Sequence, residues 1–273
     1  MSETQFPYLH GFSQKEQERL RSQAKFGEFI IYQDVNFSWQ KNILEVGCGV
    51  GAQTEILLRR FPDIKLTSID ASPAQLKVAK DHLAKIPIYN NRYELKQMDA
   101  TNLEFEGNIF DGAFLCWILE HVTNPLQVLS EVRRVLRSGA RIYITEVMNH
   151  SFFLEPYSPH VWKYWMAFND FQYEKAGDPF IGAKLGNFLG SLGFQNITTR
   201  VKTWHYDNRL PERRREIMNY WTELLLSGAD QLVSAGFTDQ ETVDLATKEL
   251  GQVKKNPNSV FMYSFMQAEA TAT

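Results

Sequence analysis

The stretch that decides the fold is a short apolar strand that runs directly into three alternating glycines, Ile43-Leu44-Glu45-Val46-Gly47-Cys48-Gly49-Val50-Gly51. Glycine has no Cβ and adopts positive φ without strain, so a ligand can lie against the backbone where this strand turns into the next helix. That helix is predicted to begin near Ala52. The third glycine comes one position earlier than in the G-x-G-x-x-G of dinucleotide enzymes, and the Gly-Lys-Ser/Thr of a P-loop does not follow. The loop therefore predicts a nucleotide-type ligand and disfavours an NAD-dependent oxidoreductase.

Acidic residues stand at the ends of the next two predicted strands. The strand over residues 65–70 ends at Asp70, roughly 20 residues past the glycines, where a carboxylate can accept hydrogen bonds from both hydroxyls of a ribose. The strand over 92–97 is followed by Asp99. Each acid also has a structural interpretation, because Asp70 can cap the helix that begins at Ser72 and Asp99 can cap the turn at Thr101. On the sequence alone, both interpretations of each acid stay open.

Two further motifs follow in the expected order. The strand over residues 109–116 leads into Trp117-Ile118-Leu119-Glu120-His121-Val122, and Arg134-Val135-Leu136-Arg137-Ser138-Gly139-Ala140 precedes a fifth strand over 141–147. Together with the glycine loop and the two acids, they resemble the motifs of the class I S-adenosylmethionine (SAM) dependent methyltransferases, in particular the UbiE-like set of small-molecule enzymes. The resemblance covers about residues 40–147.

The resemblance implies an α/β fold: a Rossmann-like, doubly wound, mostly parallel sheet of seven strands in the order 3-2-1-4-5-7-6, with helical cap insertions. It also implies SAM as cofactor and S-adenosylhomocysteine as product. The division expected from it has a lid helix in residues 1–33, a SAM-binding core in 34–147, an aromatic-rich cap insertion in 148–179, and the rest of the core in 180–273. A helical insertion is expected within this last part, at about 209–258.

The resemblance assigns cofactor contacts to the loops after the first, second, third and fourth strands and to the lid helix. The residues are Glu45, Gly47, Cys48, Gly49, Gly51, Asp70, Ala71, Asp99, Ala100, Cys116, Tyr8 and Arg19, with Gln23 as a further candidate. Glu45 either orients the glycine loop or meets the cofactor's amino group through water. Arg19 either grips the cofactor carboxylate or faces solvent. The two cysteines are interpreted as small apolar residues, because neither has an obvious activating base.

The best indication of the substrate is the aromatic content of the segment after the fifth strand, with nine aromatic residues between Phe152 and Tyr173. Ligands of open α/β sheets bind beyond the carboxyl ends of the strands, and this segment begins there. We therefore expect it to line a pocket for a small aromatic or flat apolar acceptor, with a quinone or isoprenoid lipid as the alternative. The predicted pocket residues are Phe153, Trp162, Trp165, Phe168 and Phe171. Some of these rings could instead form the core of the cap or a dimer face.

Methyl transfer needs alignment of donor and acceptor, and some acceptors must also lose a proton. The candidates for that role near the strand ends are His121, Glu146 and His150, with Asp170 as a further one; a histidine held by backbone hydrogen bonds is the structural alternative. The six histidines are scattered without a cluster of metal ligands, so no metal site is predicted.

Composition narrows the class of protein further. The chain has 273 residues, a net charge of −3 and two cysteines, and its longest apolar run, Ala113 to Leu119, is far too short to span a bilayer. No basic stripe indicates a nucleic-acid partner, and the N-terminus lacks the basic and apolar regions of a signal peptide. We expect a cytoplasmic enzyme with a small-molecule substrate and no stable membrane association. A homodimer and a non-catalytic SAM-binding subunit stay open.

Overall fold

The computed structural model describes the backbone of residues 14–273 and the side chains from Gln17 onward. A single sheet forms its centre. The strands are β1 (Asn42–Val46), β2 (Lys65–Asp70), β3 (Tyr93–Gln97), β4 (Phe110–Cys116), β5 (Leu136–Val147), β6 (Phe153–Glu155), β7 (Gln195–Tyr206) and β8 (Val260–Thr271).

The strand order confirms the predicted fold. Parallel pairing gives β3-β2-β1-β4-β5, and β8 then runs antiparallel between β5 and β7. If the short β6 is left out of the numbering, this is the predicted order 3-2-1-4-5-7-6. The sheet has eight strands instead of seven because the short β6 pairs with residues 260–262 of β8. It lies on the same side of β8 as β5, which pairs with residues 265–271. β6 therefore extends the line of β5 after a short break and adds no new position across the sheet.

Helices cover both faces of the sheet, and several have clear caps at their N-termini. Ser72 accepts a hydrogen bond from Gln75 N, Asn124 from Gln127 N, and Asp239 from Thr242 N. The helices are α1 (Gln14–Ile31), α2 (Ala52–Arg60), α3 (Pro73–Leu83), α4 (Pro125–Val135), α5 (Pro159–Glu174), α6 (Leu185–Ser191), α7 (Pro211–Leu226), α8 (Ala229–Ser234) and α9 (Gln240–Lys255).

Neighbouring residues of the central strands enter two different apolar cores, as expected of a parallel sheet covered on both faces. Ile43 and Phe114 pack on the side of α1, α2 and α7, while Leu44 and Leu115 pack on the side of α4 and α6. The first core continues into the segments after β5 and β7. There α5 packs against α9, and Tyr164 Oη donates to Leu225 O at 2.6 Å.

One strand boundary differs by several residues from the sequence-based prediction. The fifth strand was expected over residues 141–147, but β5 begins at Leu136 and so includes residues 136–140, which the prediction placed before it. Within this longer strand the pairing register with β4 shifts, and Gly139 takes φ +83°. Between β6 and β7, a 3₁₀ turn, Ile181–Lys184, leads directly into α6.

A buried carboxylate joins the first β-α-β unit. Glu45 of β1 accepts hydrogen bonds at Oε2 from Thr54 Oγ1 of α2 and Ser68 Oγ of β2, both at 2.6 Å, while its Oε1 has no partner. Burial raises the pKa of Glu45 to about 7, and these two hydroxyl donors oppose the rise. Glu45 therefore holds strand, helix and neighbouring strand together beneath the glycine loop.

We predict that Glu45→Gln stabilises the protein above neutral pH. The folded pKa lies above that of an exposed glutamate, so Glu45 weakens the folded state as pH rises from about 4.5 to about 7, at most by roughly 3 kcal/mol. Glutamine stays neutral and can still accept both hydroxyl bonds. The melting temperature of the variant relative to wild type should therefore increase between pH 5 and pH 8.

The matched control is Glu131→Gln. Its hydrogen bond from Arg134 holds the pKa of Glu131 below its usual range, so the difference from wild type should be flat between pH 5 and pH 8. A pH-independent difference for Glu45→Gln would contradict the prediction.

Candidate functional site

A cavity of about 270 Å³ lies at the carboxyl ends of β1, β2, β4 and β5, beneath α1, α5 and α7. Most of the residues that the sequence predicted for the cofactor site line this cavity. The predicted residues that line it are Arg19, Gln23, Gly47, Cys48, Gly49, Asp70, Ala71, Asp99, Ala100, Cys116, His121, Trp165 and Phe168. Glu45 lies beneath the loop, Gly51 forms the N-cap of α2, and Tyr8 is outside the described residues.

The glycine loop is held by the end of β2. Gly47 N and Cys48 N both donate to Ile69 O, and Gly49 N donates to Asp70 Oδ2 at 2.8 Å. Asp70 Oδ1 accepts from Ser72 N at 2.9 Å. Burial raises the pKa of Asp70, while the two backbone donors oppose that rise. Each carboxylate oxygen has further lone pairs, so the structural role of Asp70 leaves it able to accept ribose hydroxyls.

The loop also has room for a ligand. Gly49 has φ +51°, and a Cβ built on it would meet no atom within 4 Å. Asp99 is exposed, and its Oδ1 accepts from Thr101 N and Thr101 Oγ1, both at 2.8 Å, which supports the turn-capping interpretation and leaves Oδ2 for a ligand. These residues fit a nucleoside: an open backbone cradle beside one buried and one exposed carboxylate.

Arg19 of α1 lines the cavity and is buried, so the solvent-facing alternative does not hold. Its Nη1 donates to Gln23 Oε1 at 3.1 Å and to Tyr220 Oη of α7 at 3.0 Å. The thiols of Cys48 and Cys116 also line the cavity, and burial raises the pKa of each. Protonated thiols agree with their interpretation as small apolar residues.

Aromatic rings form the other end of the cavity. Trp165 and Phe168 of α5 stack with their centroids 5.4 Å apart. Sequence reasoning missed the other rings, which come from distant segments: Trp117, Trp204, Tyr220, Trp221 and Tyr263. A signal for two of them is the spacing Ile217, Tyr220, Trp221 and Leu224, which marks one face of α7.

Three predicted pocket residues do not line the cavity, and we correct that expectation. Phe153 is 42% exposed on β6. The ring of Trp162 packs against Phe152, with centroids 5.5 Å apart, and Phe171 packs edge-on against Phe237 at 5.1 Å. These last two rings pack in the first apolar core, in line with the alternative that some of these rings are structural.

A chain of buried hydrogen bonds fixes the aromatic end. Tyr263 Oη donates to Asn149 Oδ1 at 2.8 Å, and Asn149 Nδ2 donates to Asn169 Oδ1 at 2.7 Å. Asn169 Nδ2 donates to Trp165 O at 2.8 Å, and Trp165 Nε1 donates to Asn149 O at 3.0 Å. The network connects β8, the segment after β5 and α5, so the ring of Trp165 is held in place by directional bonds as well as by packing.

The first two candidate proton acceptors, His121 and Glu146, have different surroundings. His121 lines the cavity, with Nε2 3.6 Å from Glu120 Oε1. Glu146 is fully buried away from it and accepts at Oε1 from Ile118 N at 2.9 Å and Leu119 N at 2.6 Å. Burial, and then the charge of Glu120, raise the pKa of Glu146 well above its usual range. Glu146 therefore positions the loop after β4, a correction to its expected catalytic role.

His150 and Asp170 are exposed and do not line the cavity, so neither is placed to take a proton there. The ring of His150 lies beside Phe180, with centroids 6.0 Å apart. Within residues 14–273, no three His, Cys, Asp or Glu side chains form a group that could hold a metal ion, and no helix is long and apolar enough to cross a membrane.

Comparison with known proteins gives one domain family and a large group of relatives. A methyltransferase-domain family matches residues 44–144. The demethylmenaquinone methyltransferase of Symbiobacterium thermophilum is 31% identical over 158 residues, which is 55% of this chain and 59% of that protein. The matched segments span 38% to 59% of the first curated relatives, so the similarity lies in a shared domain.

Solved structures share the fold. Phosphoethanolamine N-methyltransferase 2 of Haemonchus contortus in complex with SAM has a TM-score of 0.58 at 18% identity, over 90% of this chain and 52% of that one. The [4+2]-cyclase SpnF has a TM-score of 0.56 at 18% identity, over 92% and 82%. Residues 44–144 thus match a methyltransferase domain, and the chain has the fold of the class I methyltransferases, a family whose cofactor is SAM.

Proposed function

We propose that the protein transfers a methyl group from SAM to a small organic acceptor. The observation that carries the proposal is the continuity of one cavity, which joins the open cradle at Gly49 and Asp70 to the aromatic end at Trp165 and Phe168. Donor and acceptor sites that share one cavity place the two reactants within reach of each other. The aromatic walls favour an acceptor with an apolar or flat body.

In this proposal each end of the cavity has its own task. Asp70 holds the ribose, the backbone at Gly49 lies against the cofactor, and the buried Arg19 binds its carboxylate. The cofactor supplies an electrophilic methyl group on a sulfonium. When bound, SAM would give up this methyl group to the acceptor atom, and the electron pair of the broken carbon–sulfur bond would stay on sulfur. The aromatic rings exclude water and align the acceptor for this in-line displacement.

An acceptor that loses a proton needs a base within hydrogen-bond reach, and His121 is the side chain that we assign to it. It lines the cavity on the loop after β4, beside Glu120. We also propose that residues 148–179 and 209–258 together form the cap over the acceptor, because α5 and α7 both supply cavity residues.

A quinone or isoprenoid lipid is the second candidate acceptor. One specific finding favours it, which is the 31% identity over 158 residues with a demethylmenaquinone methyltransferase. The cavity walls give no preference, since aromatic rings suit a quinone ring and a small aromatic metabolite equally.

The function is tested in two steps. Calorimetry should show saturable binding of SAM and S-adenosylhomocysteine in the micromolar range, about 8 kcal/mol, and no comparable binding of NAD. Mass spectrometry after incubation with isotope-labelled SAM and metabolite fractions should then show label in a small molecule. Binding without any transfer would favour a non-catalytic SAM-binding subunit, and label only in tRNA or protein would overturn the acceptor class.

We predict that Gly49→Ala weakens SAM binding more than it weakens the fold. Alanine at positive φ costs about 1–2 kcal/mol, and here its methyl group would also fill the cradle. Gly236→Ala is the matched control, because Gly236 has φ +78°, a Cβ added to it would meet no atom within 4 Å, and it has no place in the cavity. Both variants should lose similar stability, while only Gly49→Ala should lose SAM affinity, by tenfold or more, a difference of at least about 1.4 kcal/mol. Equal SAM affinities would contradict the assignment.

We further predict that two phenylalanines of α5 separate acceptor binding from stability. Both are 4% exposed, but only Phe168 lines the cavity. Phe171→Ala should reduce the free energy of unfolding by about 3–5 kcal/mol and leave KM for the acceptor nearly unchanged in the folded fraction. Phe168→Ala should raise that KM by about tenfold or lower kcat, with SAM affinity unchanged within about twofold.

Melting temperatures and calorimetric SAM affinities recorded beside the kinetics provide the control for both variants. If Phe168→Ala and Phe171→Ala lose activity in proportion to stability, the aromatic end of the cavity is core and not an acceptor site.

A further inference from the structure

Glu120 is a carboxylate that neither the cofactor site nor the proposed proton transfer uses directly. It lines the aromatic end of the cavity although the residue is only 9% exposed. Its Oε2 accepts from Gln172 Nε2 of α5 at 2.9 Å, and its backbone oxygen accepts from Asp178 N at 2.9 Å. The neutral amide of Gln172 therefore orients the carboxylate, and the N–H of Asp178 holds the backbone of the same residue.

Among the described residues, no arginine or lysine forms an ion pair with Glu120. Among the side chains that the structure describes, the ion-pair contact of Glu120 is with His121, at 3.6 Å, and this histidine carries charge only when protonated. Glu146 lies close enough to interact with it electrostatically and is itself acidic. A mostly buried carboxylate without a permanently cationic partner is costly, so a positively charged ligand that pairs with it gains free energy.

Aromatic faces lie beside this carboxylate. Residues 165, 168 and 172 are spaced i, i+3 and i+7, so α5 presents Trp165, Phe168 and Gln172 along one stripe. Gln172 thus holds Glu120 on the side of α5 that carries these two stacked rings, and Glu120, both rings and Tyr263 line the same cavity. The negative faces of aromatic rings attract cations, and rings combined with a carboxylate form a common recognition site for ammonium groups.

Resting on the proposed function, we propose that the acceptor carries an amine-type cation that pairs with Glu120 and lies against Trp165 and Phe168. The ammonium is the recognised group, whichever atom of the acceptor receives the methyl group. The residues that fix Glu120 belong to the cap and not to the cofactor cradle, which is why we assign the charge to acceptor recognition and not to the sulfonium of the donor.

The test uses the full chain saturated with S-adenosylhomocysteine, which has no sulfonium, and two probes of nearly equal shape. Choline carries a quaternary ammonium, and 3,3-dimethylbutan-1-ol has a neutral carbon in its place. Binding is followed by tryptophan fluorescence, because Trp165, Trp204 and Trp221 line the cavity. Choline should bind at least about tenfold more tightly than the alcohol, as expected for a desolvated cation beside a carboxylate and aromatic faces.

Glu120→Gln keeps the shape of the side chain and removes its charge. It should lower choline affinity by about tenfold or more, and leave the affinities for the alcohol and for S-adenosylhomocysteine unchanged within about twofold. The control is Glu94→Gln, which removes an exposed carboxylate of β3 outside the cavity and should change none of the three affinities.

Equal binding of the two probes to wild type, or a choline preference that survives Glu120→Gln, would overturn the proposal. So would a Glu120→Gln variant that no longer binds S-adenosylhomocysteine, since Glu120 would then be a structural residue of the cofactor site. If wild type itself fails to bind S-adenosylhomocysteine, the proposed function fails as well; if it binds that product without preferring choline, only the cationic acceptor is excluded.

Discussion

The cavity depends on one repeated interaction, in which the carboxylate of one strand accepts the backbone N–H groups of the loop after the neighbouring strand. Asp70 at the end of β2 holds Gly49 after β1, and Glu146 near the end of β5 holds Ile118 and Leu119 after β4. These N–H groups have left the sheet, and a buried donor without an acceptor costs about 1–3 kcal/mol. The acids supply the acceptors and thereby fix the shape of both loops.

The loop after β4 shows how strongly such hydrogen bonds constrain the backbone. Trp117 takes φ +55°, a conformation that costs a bulky residue about 1–2 kcal/mol. Its N–H donates to Thr145 O at 2.9 Å, the next two N–H groups are held by Glu146, and its ring packs against Trp204 and Phe265. Because hydrogen bonds to β5 and the packing of the Trp117 ring both fix this backbone, the loop places Trp117, Glu120 and His121 at the cavity.

The first half of the fold was predictable because its signals are local. The apolar runs and the glycines that follow them predicted β1, β2 and the start of α2. The predicted boundaries of β2, residues 65 and 70, are those of the structure. The strand order came from the resemblance, since pairing between strands far apart in sequence has no local signal. β6 was not predictable for the same reason: three residues become a strand only because the far end of β8 is available beside them.

Composition identified the aromatic segment but could not tell which of its rings line the cavity, because the position of each residue around the helix decides the direction of its ring. Trp165 and Phe168 of α5 line the cavity, and its other rings come from the loop after β4 and from β7, α7 and β8, which only the folded chain brings beside α5.

Loop geometry also explains why the acidic residues were harder to interpret than the glycines. A glycine at positive φ has a narrow range of uses, whereas a carboxylate can cap, position, bind or accept a proton, and its sequence neighbours do not say which. Glu120 and Glu146 illustrate this difference. Glu146 accepts two backbone donors at one oxygen, so its carboxylate serves the loop. Glu120 accepts the side-chain amide of Gln172 on α5 and still lines the cavity, so its carboxylate forms part of the cavity wall.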